Sequence, residues 1–202
     1  MNVKLKICGM KHNVAEVAEL MPDYLGFIFY AKSVRNFTGT PPNLPASIKR
    51  VGVFVNASLE DISEKIKTFQ LDVVQLHGDE TPEFCQALSG VEIWKVFSIK
   101  DSFDFNKLTP YEKVVDKFLF DTKGKEKGGN GYTFDWSVLE DYHSTKPIVL
   151  SGGIGLAEIE SLQQILKTEL PIYAIDVNSK FEQRPGLKDT DQLAEFMSTR
   201  MT

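Results

Sequence analysis

The chain has 202 residues, of which 42% are hydrophobic and 25% charged, and its formal net charge is −5. That apolar share suits one soluble globular domain over residues 1–202 and excludes a disordered or fibrous chain. The positive charges are scattered rather than gathered on one face, so no nucleic-acid partner is expected, although a mildly acidic surface still accommodates a local anion site.

The opening Met1-Asn2-Val3-Lys4-Leu5-Lys6 alternates charge with hydrophobicity, unlike a signal peptide. No stretch approaches the roughly 20 apolar residues of a membrane span, so no membrane partner is expected. Cys8 and Cys85 lie far apart with no CxxC spacing, which makes neither a disulfide framework nor a zinc site. A cytoplasmic location and a monomer are the expectations.

Continuous apolar runs, the mark of strands buried on both faces, recur along the chain. In the first, Val3–Cys8, alternation puts Lys4, Lys6 and Cys8 on one face and Val3, Leu5 and Ile7 on the other. In a barrel the apolar face meets the helices, which points Lys6 and Cys8 into the lumen. A lysine beside that thiol favours thiolate and predicts a lowered thiol pKa. A buried structural cysteine is the alternative. Val14, Val17, Ala18 and Met21 predict the first helix. The second run, Tyr24–Phe29, leads to Lys32-Ser33-Val34-Arg35, and an arginine at a barrel mouth suits a carboxylate through a two-pronged hydrogen bond.

The third run, Val51–Val55, precedes a helical stripe of Leu59, Ile62, Ile66 and Phe69 with Ser58 as N-cap. The fourth, Val73–Leu76, carries Gln75 and ends at His77; Cys85 falls in the helix after it and reads as structural. Glu92–Phe97 is the fifth, followed by a weak helix around Phe105–Tyr111 expected to be little more than a turn. The sixth, Phe118–Asp121, surrounds Asp121 with Leu and Phe. A desolvated carboxyl group can stay protonated, as a general acid requires; a turn or capping aspartate is the alternative. Gly128-Gly129-Asn130-Gly131 follows in a long loop, Lys123–Tyr132, whose glycines and lysines suggest mobility.

Ile148–Ser151 runs into Gly152-Gly153-Ile154-Gly155 and a helix bearing Leu156, Ile159, Leu162 and Leu166. Ile172–Val177 carries Asp176, with Asn178 and Ser179 after it, and Thr190 is placed as the cap of a last helix with Leu193, Phe196 and Met197. Eight strands alternating with about eight helices predict an α/β fold with a parallel sheet. About 25 residues per unit is near the lower limit for a TIM barrel; a doubly wound open sheet is the alternative. A barrel puts function at the C-terminal strand ends, where Cys8, Arg35, Gln75, His77, Asp121, Ser151 and Asp176 all fall. Glycines permit close backbone approach, so Gly152 and Gly153, completed by Asn178 and Ser179, form a candidate phosphate site. His12, His77 and His143 have no metal-ligand spacing, and no metal is expected.

Taken together, an ordered set of motifs resembles the phosphoribosylanthranilate isomerase family of tryptophan biosynthesis. The set comprises Lys6-Ile7-Cys8-Gly9, Gly26-Phe27-Ile28-Phe29-Tyr30 with Ser33 and Arg35, and Val51-Gly52-Val53-Phe54-Val55. It continues through Gln75-Leu76-His77-Gly78, Phe120-Asp121-Thr122, Gly128-Gly129-Asn130-Gly131, Leu150-Ser151-Gly152-Gly153-Ile154 and Pro185-Gly186-Leu187-Lys188-Asp189. The resemblance implies a single (β/α)8 barrel and an Amadori rearrangement of N-(5-phosphoribosyl)anthranilate to 1-(2-carboxyphenylamino)-1-deoxyribulose 5-phosphate. It implies Cys8 as general base, Asp121 as general acid, and Arg35 as holder of the anthranilate carboxylate. Gly129, Asn130, Gly152, Gly153, Asp176, Asn178 and Ser179 would bind the phosphorylated substrate. The chemistry needs two proton transfers and no redox step, so no cofactor is expected.

One departure is visible: Lys180 stands where the family often has glycine, and a positive φ would be uncomfortable there. Beyond the resemblance, Lys6 is expected to hold the Cys8 thiolate, paired with Asp176 on the neighbouring eighth strand. A sugar-phosphate isomerase of histidine biosynthesis would carry aspartate in place of Cys8, and an indole-glycerol-phosphate synthase would show a lysine and glutamates at several strand ends. A non-catalytic phosphate-binding barrel is the reading from a different class.

Overall fold

The structure, a computed structural model, describes residues 3–122 and 135–200. Eight parallel strands close into a barrel in chain order, so the open doubly wound sheet is excluded. They are β1 (Lys4–Ile7), β2 (Tyr24–Ile28), β3 (Lys49–Phe54), β4 (Val73–Leu76), β5 (Glu92–Ile99), β6 (Lys117–Thr122), β7 (Ile148–Leu150) and β8 (Ile172–Val177). Each predicted run is a strand. The closing pair, β1 with β8, sets Lys6 opposite Asp176.

Side-chain alternation divides the core into two. Leu5, Ile7, Leu25, Phe27, Val74, Leu76, Phe118 and Phe120 point outward into the layer shared with the helices. Cys8, Tyr24, Val51, Val53, Trp94, Val96, Leu119 and Val149 point inward and fill the lumen. The face assignment made for β1 from alternation therefore holds. Lumen volume is scarce: a Cβ on Gly26 would sit 3.0 Å from the Cys8 Sγ and 3.1 Å from the Lys6 Cε. Both side chains occupy space that this glycine leaves.

The outer layer is thinner than predicted. The described residues contain five α-helices, α1 (Val14–Glu19), α2 (Leu59–Phe69), α3 (Pro82–Ala87), α4 (Ile159–Ile165) and α5 (Thr190–Arg200). The segments Phe105–Tyr111 and Trp136–Asp141 are 3-10 turns, and no helix links β2 to β3. Pro110 inside the first of these explains its tighter form, since proline removes a helical N–H and clashes with the preceding turn. Ser58 caps α2 as expected, its hydroxyl accepting from the Asp61 N–H at 3.1 Å. The cap of α5 is Asp189 rather than Thr190: Asp189 Oδ1 accepts from the Gln192 N–H at 3.0 Å, and Thr190 is the first helical residue. A carboxylate there also meets the positive end of the helix dipole.

Beyond β8 the chain makes a 3-10 turn (Ser179–Phe181) and a small antiparallel hairpin, β9 (Glu182–Arg184) and β10 (Leu187–Lys188). Pro185-Gly186 makes its turn, with Gly186 at φ +80°, the combination a tight turn requires. No helix among the described residues is long and apolar enough to cross a membrane.

Candidate active site

One cavity opens at the C-terminal ends of the strands. It is lined by Cys8, Arg35, Asp121, Gly152, Gly153, Asp176, Asn178 and Ser179, that is, eight of the ten residues predicted for the site. The other two, Gly129 and Asn130, lie outside the described residues, as does the loop Lys123–Tyr132. Gln75, His77, Ser151 and Lys180 also line the cavity.

Cys8 follows β1, and its surroundings correct the expectation of a low thiol pKa. Burial pushes the thiol up and outweighs the Lys6 ammonium, which pulls it down; the Asp176 carboxylate adds to the rise. The buried thiol therefore rests neutral, and Lys6 is the chief group opposing that. Lys6 is fully buried and donates through Nζ to Asp176 Oδ2 at 2.8 Å. Burial is the largest single influence and lowers the lysine's proton affinity, but the Asp176 carboxylate and the Cys8 sulfur together outweigh it and hold the lysine raised, so it stays charged. For Asp176 burial dominates over Lys6 and raises its pKa. Asp176 Oδ2 also accepts from Ser151 Oγ at 3.3 Å, while Oδ1 is buried beside the cavity without a hydrogen-bond partner among the described residues.

Asp121 is almost fully buried near the end of β6. Its Oδ1 accepts from the Thr122 N–H at 3.0 Å, and its Oδ2 lies 3.3 Å from His77 Nε2. That approach is close enough for an ion pair but lacks hydrogen-bond alignment. Gln75 Nε2 lies 3.1 Å from His77 Nδ1; an amide donor there makes Nδ1 the acceptor and leaves the ring proton on Nε2, facing Asp121. The sequence placed His77 at the mouth without a role, because only the fold brings β4 to β6. Gly152, at φ +91°, makes the approach of the β7 loop possible: a Cβ there would lie 2.2 Å from Thr122 Oγ1 and 2.9 Å from Asp121 Oδ1.

Arg35 lines the cavity, yet its guanidinium is already held by Glu182. Nε reaches Oε1 and Oε2 at 3.0 Å each, and Nη2 reaches Oε2 at 2.6 Å. Glu182 was not singled out from sequence; the Pro185-Gly186 turn was the available signal that this stretch doubles back. Gly9, at φ +73°, packs under this end of the site: its Cβ would meet Asn178 Oδ1 at 2.6 Å and Arg35 Cδ at 2.9 Å. Lys180 causes none of the expected strain, since it is absent from the residues with positive φ. The space comes instead from Gly155, whose Cβ would sit 3.0 Å from the Lys180 Cβ.

Such a mouth, with an ionisable pair on β1 and β6, glycines after β7 and an arginine after β2, agrees with the family suggested by the motifs. A family model described as N-(5'phosphoribosyl)anthranilate (PRA) isomerase matches residues 5–199. The chain belongs to this family. An N-(5'-phosphoribosyl)anthranilate isomerase of Parabacteroides distasonis is 45% identical over 204 residues, covering 96% of this chain and 91% of the relative. The phosphoribosyl anthranilate isomerase of Thermotoga maritima superposes with a TM-score of 0.86 at 33% identity over 98% of both chains; another structure of it describes that enzyme as dimeric. A structure of a phosphoribosyl anthranilate isomerase in complex with reduced 1-(o-carboxyphenylamino)-1-deoxyribulose 5-phosphate matches with a TM-score of 0.82 at 30% identity, again over 98% of both chains.

Proposed function

We propose that this mouth catalyses the Amadori rearrangement of N-(5-phosphoribosyl)anthranilate, with Asp121 as general acid and Cys8 as general base. The observation that carries the assignment is their convergence: two ionisable groups from strands three apart around the barrel line one cavity. Protonated Asp121 gives its proton to the ribose ring oxygen, the C1–O bond breaks, and the nitrogen lone pair forms the Schiff base. Cys8 thiolate then removes the proton from C2, and the released electron pair makes the C1–C2 double bond of an enolamine. Protonation at C1 and loss of the C2 hydroxyl proton yield the aminoketone. The Nε2–H of His77 faces the carboxylate that Asp121 becomes. Lys6 favours the thiolate that Cys8 must become.

The remaining residues fix the two ends of the substrate. Gly152, Gly153, Asn178 and Ser179 take the phosphate through backbone and hydroxyl donors that approach closely where side chains are small. Arg35 takes the anthranilate carboxylate. Holding both ends places C2 and the ring oxygen between base and acid, which converts binding into a favourable reaction geometry.

The test is conversion of fluorescent phosphoribosylanthranilate by the purified protein. Cys8→Ala and Asp121→Asn should each slow turnover by about 10²–10⁴-fold, the usual contribution of a positioned acid or base. Binding of a reduced product analogue should persist in both. Near-normal turnover in either variant removes that residue from its role.

A further inference from the structure

The hairpin after β8 buries a charge cluster directly behind Arg35. Glu182 at its start is held from two sides, by the Arg35 guanidinium and by Lys188 Nζ at 2.9 Å. Lys188 is paired across the hairpin with Glu182, and its side chain is fully buried. The same ammonium donates to Asn178 Oδ1 at 2.8 Å and to the Asn178 carbonyl at 3.1 Å. Asn13 locks Lys188 in place, accepting its N–H at 3.0 Å and donating to its carbonyl at 2.9 Å. Gly186 N–H adds a further bond to Glu182 Oε1 at 3.0 Å.

Two consequences follow. The three bonds to Glu182 use Nε and Nη2 of Arg35, while Nη1 has no hydrogen bond among the described residues, so the guanidinium is fixed along one edge with donors to spare. The charges also fail to cancel, since two cations share one carboxylate. Burial resists ionisation of Glu182, yet the bonds from Arg35 and Lys188 outweigh it and hold the carboxyl below its usual range. Burial pushes Lys188 down, only partly opposed by Glu182. A buried surplus of positive charge is unfavourable until an anion arrives.

We propose that Glu182 and Lys188 are positioning residues for the aryl carboxylate of the substrate. Glu182 orients Arg35 with a free edge toward the cavity, and Lys188 supplies the surplus positive charge that the carboxylate neutralises. This rests on the isomerase reading above, because it takes the carboxylate-bearing substrate from there. Arginine suits the task because its planar fork can bond one carboxylate on each of two edges.

The test uses two substrates, phosphoribosylanthranilate and the carboxylate-free phosphoribosylaniline, with the wild type, Glu182→Gln and Lys188→Met. In Glu182→Gln the carboxylate that bonds Nε and Nη2 of Arg35 is gone, so orientation is lost while no cationic side chain is removed. In Lys188→Met the orientation stays and the surplus charge goes. Each variant should raise KM for phosphoribosylanthranilate by about tenfold, the equivalent of one charge-assisted hydrogen bond. Glu182→Gln should move neither kcat nor KM for phosphoribosylaniline by more than about twofold on the same scale, whereas Lys188→Met, which also takes a minor pull off the Cys8 thiol and a donor off Asn178, should raise KM for phosphoribosylanthranilate more than KM for phosphoribosylaniline. In an Arg35→Met background Glu182→Gln should have no further effect on discrimination between the substrates.

Equal effects of the variants on both substrates would mean that the cluster only braces the hairpin, and unchanged KM values would dismiss it altogether; either result overturns the inference. If Glu182→Gln does not fold, Glu182→Asp, which keeps the charge but withdraws it by one methylene, carries the same expectation. Failure of the wild type to turn over either substrate counts against the isomerase reading instead.

Discussion

Replacing Lys6 by methionine tests the electrostatics of the thiol most directly. The substitution keeps an unbranched side chain one atom shorter and removes the ammonium that lies 2.8 Å from Asp176 Oδ2 with no solvent exposure. Breaking a buried pair by deleting one partner typically costs about 3–5 kcal/mol, because the other charge is stranded. Asp176 has a remedy: burial already raises its pKa, so it can take up a proton, and Ser151 Oγ remains 3.3 Å away. The low end, about 3 kcal/mol, is therefore expected. At about 2–4 °C per kcal/mol for a chain of this size, that lowers the melting temperature by roughly 6–12 °C.

The chemical effect is separate from the stability effect. Burial already pushes Cys8 up, and without Lys6 only the smaller pull of Lys188 opposes it. The thiol then ionises at higher pH than in the wild type, and turnover at neutral pH falls by up to the 10²–10⁴-fold or so that a general base contributes. The assay is the pH dependence of iodoacetamide alkylation at the Cys8 peptide, read by mass spectrometry beside the pH profile of kcat. Peptide-level readout excludes Cys85, a fully buried thiol pushed up to about 11 mainly by burial. Both profiles should shift to higher pH together. An alkylation profile that matches the wild type, alongside a lowered melting temperature, would leave Lys6 a purely structural residue and refute the argument.

Two further outcomes are expected. Gly152→Ala forces a side chain into φ +91° and against Thr122 at 2.2–2.5 Å, so strain and overpacking together cost about 2–5 kcal/mol. Since the same Cβ would press on Asp121 Oδ1, kcat should fall with the melting temperature; an enzyme destabilised but fully active would show that the β7 loop does not place the acid. Lys180→Met removes an exposed ammonium from the phosphate end, where such charges contribute about 0.2–1 kcal/mol. KM should rise by roughly 1.5- to 5-fold and become less sensitive to salt at unchanged kcat, and an unaltered salt dependence would exclude Lys180 from phosphate binding.

Much of this architecture is written in local pattern. Largely apolar runs marked all eight strands because strands enclosed on both faces carry few polar side chains, and alternation within Val3–Cys8 put Lys6 and Cys8 in the lumen. Those same patterns overestimated the helices: an apolar stripe shows which face is buried, not whether the backbone winds as an α-helix or a 3-10 turn. The ordered motifs, from Lys6-Ile7-Cys8-Gly9 to Pro185-Gly186-Leu187-Lys188-Asp189, were enough to indicate the family.

What tertiary structure alone decided is electrostatic and long-range. A lysine two residues from a cysteine suggested a lowered thiol pKa, but burial depends on the closed barrel, and burial reverses the sign. His77 meets Asp121 only because β4 and β6 share a lumen, across 44 residues of chain. Arg35 and Glu182, 147 residues apart, form a pair that no local pattern announces. Cys8 thus kept the position that sequence assigned it, while its charge state and the neighbours that govern it were set by the field of strands folded around it.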